Sequence, residues 1–243
     1  MTGVARPVSV DLDVPRCALA IGAHPDDVEF GCGATLAKWA EHGCEVHLLV
    51  LTDGSKGTWE REAADLVAIR EKEQRNAAHA LGAMDVTFLG VVDGELDERA
   101  PYRAAVCEAI RAIRPDTVLG HDPWKRYRLH PDHRHAGFLT LDALVAARDP
   151  QFFPDQPFPP HRPSHLLLFE ADEPDHAETV TTDRKIDALL AHRSQWRSTM
   201  GIDDTVDVQT AAFAQRIRDE ADAGGRQLGL STPAELFKRI DEL

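Results

Sequence analysis

Two short segments of the chain combine imidazoles with carboxylates: His24-Pro25-Asp26-Asp27 and His130-Pro131-Asp132-His133. His and Asp are ligands for first-row metals, and catalytic zinc sites commonly hold the ion with three protein ligands and leave one position for water. A local His/Asp pair plus one distant His makes such a tripod. A single H-P-D is equally an ordinary turn, in which Pro fixes φ and Asp accepts backbone amides. Two of them, each following an apolar strand-like run, point instead to a metal site. Spacing leaves open which of Asp26 and Asp27 ligates and which acts as a base. The i, i+3 relation of His24 and Asp27 favours Asp27 as the ligand.

Residues 17–24, 45–54, 85–94, 116–121 and 165–171 read as strands, and most are near-continuous apolar runs. Helical patterns are expected at 35–41, 59–81, 102–113 and 132–148, then near 182–198, 207–223 and 232–242. Residues 149–163 carry six prolines and read as a loop. Alternating apolar strands and helices imply a parallel sheet covered on both faces. The expected fold is therefore α/β, a Rossmann-like three-layer αβα domain with a mostly parallel central sheet. One domain over 1–243 is expected, with a C-terminal helical portion from about 182. In such sheets ligands bind outside the C-terminal ends of the strands, where both H-P-D segments fall.

Composition narrows the partners. The 243 residues contain 27 Lys plus Arg against 41 Asp plus Glu, a formal charge of −14. Nucleic acid is excluded as the main partner, since phosphate binding needs a basic footprint. No run approaches the roughly 18 to 20 apolar residues of a membrane helix, and the N-terminus lacks a signal-type apolar core. A cytoplasmic location is the expectation, and a homo-oligomer is compatible with the sequence. The four cysteines match no C-x-x-C pattern; Cys17 and Cys44 read as core residues. Of 12 histidines, four lie within 120–136. Among the remaining histidines His161, His165 and His176 read as structural, and within that cluster His135 reads as a helix-surface residue. His121, Asp122 and Trp124 are expected to line the site wall.

The residues AHPDDVEFGCGATLAKW (23–39), together with HPDH (130–133), resemble the PIG-L/LmbE-like family of zinc-dependent N-deacetylases. LTDGSKGTW (51–59), Arg70-x-x-Glu73 followed by Ala77, Ala78, Leu81 and Gly82, FLGVVDGEL (88–96), and Lys185-x-x-Ala188-Leu189 with His192-x-Ser194-Gln195 are similar to further segments of that family, in the same order. The resemblance implies His24, Asp27 and His133 as zinc ligands, with Fe²⁺ or another divalent ion as the alternative. It implies Asp26 as general base, His130 as the oxyanion-stabilising histidine and Asp132 as a carboxylate supporting the imidazoles. Arg70 and Asp93 fall where relatives contact a sugar-like substrate. Relatives often carry Tyr two residues before the histidine of HPDH. Here Arg128 stands there with Tyr127 one place earlier, so either is the candidate for that substrate-binding role.

The implied activity is hydrolysis of an N-acetyl or small N-acyl group from an N-acetylglucosaminyl conjugate or related amino-sugar metabolite. A zinc-bound water would attack, with Asp26 accepting its proton. His130, if protonated, would donate to the oxyanion. An amidase of a thiol S-conjugate and a secondary-metabolite tailoring deacetylase are the enzyme alternatives. A dinucleotide oxidoreductase, suggested by Gly31-x-Gly33, and a non-catalytic binding protein are more remote. Several positions keep a second reading: Arg70 with Glu73 as an exposed helix ion pair, Asp93 as a turn residue, and His192 as a packed helix histidine. Lys125, Arg126 and Arg128 would either meet an anionic substrate group or form salt bridges closing their loop.

Overall fold

The computed structural model describes residues 8–58, 64–203, 207–241 and 243. Among the described residues, eight strands form one sheet: β1 (Ser9–Val10), β2 (Cys17–Gly22), β3 (Glu45–Thr52), β4 (Asp85–Val91), β5 (Thr117–His121), β6 (His165–Phe169), β7 (His176–Thr179) and β8 (Ala234–Asp241). Their spatial order is β1-β7-β8-β6-β5-β2-β3-β4. β2, β3, β4, β5 and β6 run parallel, whereas β8 lies antiparallel between β6 and β7. Every residue of β2 and β5 is buried, as expected for strands covered on both faces.

The described residues also form six α-helices: α1 (Asp27–Glu41), α2 (Ala64–Leu81), α3 (Ala100–Ile113), α4 (Pro131–Arg148), α5 (Asp183–Ala191) and α6 (Asp207–Gln227). One core layer joins α1, α2 and α5 to the sheet through Leu36, Trp39, Leu48, Leu81 and Phe169. The other joins α3 and α4 through Leu19, Ile21, Ile110, Leu139 and Leu168. These are the two outer layers of the expected αβα sandwich. The chain leaves β2 toward β3 on one side, and β5 sits on the other. The switch point where ligands bind in open α/β sheets therefore lies between β2 and β5.

Several boundaries differ from the sequence expectation. Where a helix is expected over 232–242, Ala234–Asp241 is β8, so the C-terminal portion is not purely helical. Its Ala, Glu, Leu, Lys and Arg favour a helix in isolation. Pairing on both sides, with Leu166–Ile240 and Ala177–Leu236 in register, outweighs that preference. α1 begins at Asp27 rather than near 35 and is interrupted at Cys32, whose φ is −150°. Gly31 lies within this helix, and a Cβ there would meet the Phe169 ring at 2.5 Å. Gly31-x-Gly33 thus serves close packing inside a helix and not a phosphate loop ahead of one. The start of the expected 59–81 helix, residues 59–63, lies outside the described residues. Beyond α5 the chain continues as a 3₁₀ turn (Arg193–Gln195) and a π turn (Trp196–Met200). The proline-rich loop is pinned by Arg111, which donates to the carbonyls of Ala146, Ala147, Asp149, Phe152 and Phe153. No described helix is long and apolar enough to cross a membrane.

Candidate active site

The C-terminal ends of β2, β3, β4, β5 and β6 surround a cleft of about 690 Å³, within the range of small-molecule sites. His24, Asp26, Asp27, Asp93, His130 and His133 all line it. β2 delivers His24 to Asp27 in one turn that opens α1. The peptide of Asp26 takes a left-handed conformation, φ 106°, and its N–H donates to Gln74 Oε1 at 3.0 Å. Thr52, at the end of β3, donates to the Ala23 carbonyl through both its N–H and its hydroxyl. That clamp sets the height of the turn above the sheet. His130 is the N-cap of α4 and Pro131 its first residue, a position that suits the missing N–H of proline. His133 then follows on the first turn, facing His24.

Donor atoms of three residues meet in this cleft. His24 Nδ1 lies 3.3 Å from Asp27 Oδ2 and 3.2 Å from His133 Nε2; His133 Nε2 lies 3.3 Å from Asp27 Oδ1. A tetrahedral zinc with ligand bonds of about 2.0–2.2 Å sets its donor atoms about 3.3–3.6 Å apart, so the triad fits such a cation. The protonation pattern of His24 agrees. Its Nε2 lies 3.0 Å from Asp132 Oδ2 and 3.2 Å from Asp93 Oδ1. The proton belongs on Nε2, and Nδ1 keeps its lone pair toward the cluster. Overlapping groups, His24–His130–His133 and Asp27–His121–His133, also come together. The first includes the exposed His130, and in the second His121 Nε2 already accepts the Ala23 N–H. In the His24–Asp27–His133 set the two imidazole nitrogens and the Asp27 carboxylate lie 3.2–3.3 Å apart, while Asp27 Oδ2 also accepts the His24 backbone N–H at 2.7 Å.

Arg128 introduces a conflict at His133. Its Nη1 lies 2.7 Å from His133 Nδ1, and a guanidinium can only donate. In this arrangement the His133 proton sits on Nε2. A cation on Nε2 requires the proton on Nδ1, and Arg128 must then turn away toward its second partner, Glu170.

The electrostatics separate the two neighbouring carboxylates. Burial raises the pKa of Asp26, and Arg70 Nη2 at 3.6 Å only partly offsets that, leaving it at about 6. Asp27 is also buried, but His133 and His121 beside it hold it well below the usual carboxylate range. Burial drives His133 down to about 4, so it is neutral at ordinary pH, the form that can ligate. His24 is raised well above its ordinary value: burial opposes this, and Asp132, Asp27 and Asp93 outweigh it, so without a cation the ring carries a proton on both nitrogens, and a cation on Nδ1 would take the place of one of them. His130 is lowered by burial and by His24. That direction favours the neutral imidazole, and the sequence expectation of an oxyanion donor is conditional on protonation. One ring N–H remains for donation.

Asp132 is fully buried and does more than support one imidazole. It accepts the Gly94 N–H at 2.6 Å and the Leu96 N–H at 3.3 Å, tying the turn after β4 to α4 and to His24. Asp93 lines the cleft, receives the Lys56 N–H at 3.0 Å and faces His24, so its role exceeds that of a turn residue. Arg70 is buried and donates to the carbonyls of Gly54 and Pro25. It is not an exposed partner of Glu73, which instead takes two hydrogen bonds from Ser194. Tyr127 is 92% exposed and does not line the cleft, so the structure does not bring it to the site. Its backbone φ of 58° turns the side chain outward at that point of the loop. Arg128 is drawn to His133 and Glu170 and is likewise absent from the cleft lining. Lys125 bonds the Glu170 carbonyl, and Arg126 meets Asp172. The local cations close their own loop; they do not present a free anion site. Trp124 is 60% exposed and packs edge-on against Phe138, whereas His121 is buried between Asp27 and Glu170.

Glu170 escaped the sequence reading. It follows the last residue of β6, so the strand-end rule that located the H-P-D segments also points to it. Its pKa is about 2; burial opposes the lowering, and His121 and Arg128 prevail. Glu29 and Gln74, buried behind Asp26, were also missed, because a polar residue within a helical pattern reads as surface.

The fold and the site together define a three-layer α/β protein with a His/Asp cluster at the topological switch point of its sheet. The chain belongs to the PIG-L family: the model described as GlcNAc-PI de-N-acetylase matches residues 19–144. A diacetylchitobiose deacetylase of Thermococcus kodakarensis is 35% identical over 185 residues, which cover 73% of this chain and 69% of that protein. A 1D-myo-inositol 2-acetamido-2-deoxy-alpha-D-glucopyranoside deacetylase of Kineococcus radiotolerans is 34% identical over 56% of this chain and 46% of its own length. The chain thus spans about half of that relative. Among solved structures, the N,N'-diacetylchitobiose deacetylase of Pyrococcus horikoshii superposes with a TM-score of 0.82 at 29% identity, covering 93% of this chain and 84% of that one. The 4-carboxy-2-hydroxymuconate hydratase GalB shares the fold with a TM-score of 0.73 at 21% identity, over 94% of this chain and 97% of that one. The architecture alone therefore does not select the chemistry.

Proposed function

We propose that this protein is a divalent-metal-dependent hydrolase that removes an acetyl group from the nitrogen of an N-acetylglucosamine-type sugar. The observation that carries the reading is the triad His24 Nδ1, Asp27 and His133 Nε2 at mutual distances of 3.2–3.3 Å, with the Asp26 carboxyl in the same cleft. Those three residues hold the cation, zinc or another divalent ion. When bound, it supplies a polarised carbonyl and a water of lowered pKa. Asp26, with a pKa of about 6, is poised near neutral pH to take the proton of the attacking water and to pass it to the leaving nitrogen. Arg70 aims that carboxylate. His130, at the open side of the cleft, donates an N–H to the oxygen on which charge develops. Asp132 and Asp93 keep the His24 proton on Nε2.

The sugar assignment draws on the names of the relatives, which concern diacetylchitobiose and an inositol-linked 2-acetamido-glucopyranoside. The experiment is release of free amine from N,N'-diacetylchitobiose and from N-acetylglucosaminyl-inositol, with bound metal counted per chain. Expected are one divalent ion per chain and turnover of at least one of the two, abolished by a chelator and restored by the ion. Absence of amine release from both with Zn²⁺, Fe²⁺ and Mn²⁺ supplied, or turnover indifferent to chelation, overturns the proposal.

A further inference from the structure

Behind Asp26, away from the cleft, lies a second polar cluster that touches no substrate. Gln74 on α2, Glu29 on α1 and His192 after α5 are each fully buried, and none lines the cleft. Gln74 Oε1 accepts the Asp26 N–H at 3.0 Å, and Gln74 Nε2 donates to Glu29 Oε1 at 2.6 Å. Glu29 Oε2 faces His192 Nε2 at 3.6 Å.

Three buried polar side chains are costly where apolar ones would pack. Their arrangement answers a specific demand. A non-glycine residue at a φ of 106° stores about 1–3 kcal/mol of strain and persists only where its surroundings over-determine it. The Asp26 N–H is buried and needs an acceptor. Gln74 offers one only if its amide points the right way round. Glu29 Oε1 takes the Gln74 NH₂ at 2.6 Å, which turns the amide oxygen to the Asp26 N–H. Without Glu29 only the Asp26 N–H would orient the amide, whose flipped form sets donor against donor.

We propose that Gln74 and Glu29 are positioning residues, which together lock the Asp26 peptide in its left-handed conformation and so aim its carboxylate into the cleft, with His192 packed beside Glu29. This rests on the reading of Asp26 as the general base.

The test uses Gln74→Met, Gln74→Glu and the exchange variant Gln74→Glu with Glu29→Gln, assayed by amine release and by bound metal per chain. Gln74→Met removes both hydrogen bonds. Gln74→Glu sets one carboxylate against another. The exchange restores an acceptor toward Asp26 and a donor between the two side chains. Expected for both single variants is a fall in kcat of about tenfold to a hundredfold, the range a small misplacement of a reacting group produces. KM stays within twofold and bound metal is unchanged, and the exchange recovers most of the loss. Single variants within threefold of the wild-type kcat, a loss that follows lost metal, or an exchange variant no better than Gln74→Glu overturns the proposal. If Gln74→Met does not fold, the other two variants carry the test. Asp26→Asn, run in parallel, separates the layers. If it keeps turnover, the general-base reading itself has failed. If it is inactive while the Gln74 variants work normally, only the positioning role has.

Discussion

Replacing Asp26 by Asn should make the protein more stable and nearly inactive. The carboxyl is 6% exposed, and its pKa moves from the ordinary 3.8 to about 6 in the folded state, because burial outweighs Arg70. At about 1.36 kcal/mol per pH unit, ionised Asp26 costs the fold about 3 kcal/mol at neutral pH. The sign is fixed by the direction of the shift. A carboxyl with a raised folded pKa binds its proton more tightly in the native state. The penalty is therefore complete above the folded value near 6 and gone below the unfolded value near 4. Asp26→Asn removes the ionisable group and keeps the shape, while Arg70 keeps its bonds to the Gly54 and Pro25 carbonyls. Urea unfolding of chelator-treated wild-type and variant protein at pH 7 and pH 4 measures the effect without a cation to compensate the charge. The variant should gain about 2–3 kcal/mol at pH 7 and almost nothing at pH 4. Its amine-release rate should fall by about 10²–10⁴, the usual worth of a positioned base. A gain equal at both pH values, or no gain at pH 7, refutes the burial argument; a near-normal rate refutes the role of base.

Two further outcomes follow from other contacts. Arg128→Ala frees His133 Nδ1 from a donor that opposes ligation through Nε2. It should tighten divalent-cation binding by about 1 kcal/mol, about fivefold, in competition against a chromophoric chelator; unchanged or weaker binding contradicts the conflict described above. Glu178, far from the cleft, is fully buried and bonded by Lys38, His176 and the Leu12 N–H. Burial alone would raise its pKa, and these bonds outweigh it and lower it. Its stabilising share is therefore present above about pH 4.5 and lost as pH falls through the lowered folded value. Glu178→Gln should cost about 2–3 kcal/mol at pH 7, and the difference from wild type in urea unfolding should shrink below that pH; a difference that is flat with pH contradicts the assignment.

Much of this molecule is legible in one dimension. The apolar runs that became β2, β3 and β5, and the H-P-D segments at two strand ends, locate the site because hydrophobic burial and turn chemistry are local properties of the chain. His24, Asp27 and His133 could be picked out on residue type and spacing, together with family resemblance. β8 could not. Ala234–Asp241 carries helix-favouring residues, and only the slot between β6 and β7 makes it a strand. Tyr127 and Arg128 show the same limit at the site. They are adjacent in sequence, yet one faces solvent and the other is drawn to His133 and Glu170, because a loop's course is set by the partners waiting for its charges.

The sequence by itself determined the layer architecture, the candidate ligands and the carboxylate beside them, since each depends on residue type and short-range spacing. Only the tertiary structure decided which histidine nitrogen faces the cluster and which of two neighbouring aspartates keeps a raised pKa. It also assigned Arg70 to Asp26 and not to Glu73, and placed a buried glutamine and glutamate behind the reacting carboxylate. Those outcomes depend on burial and on partners 36 to 109 positions away in the chain, distances over which sequence spacing carries no geometric information.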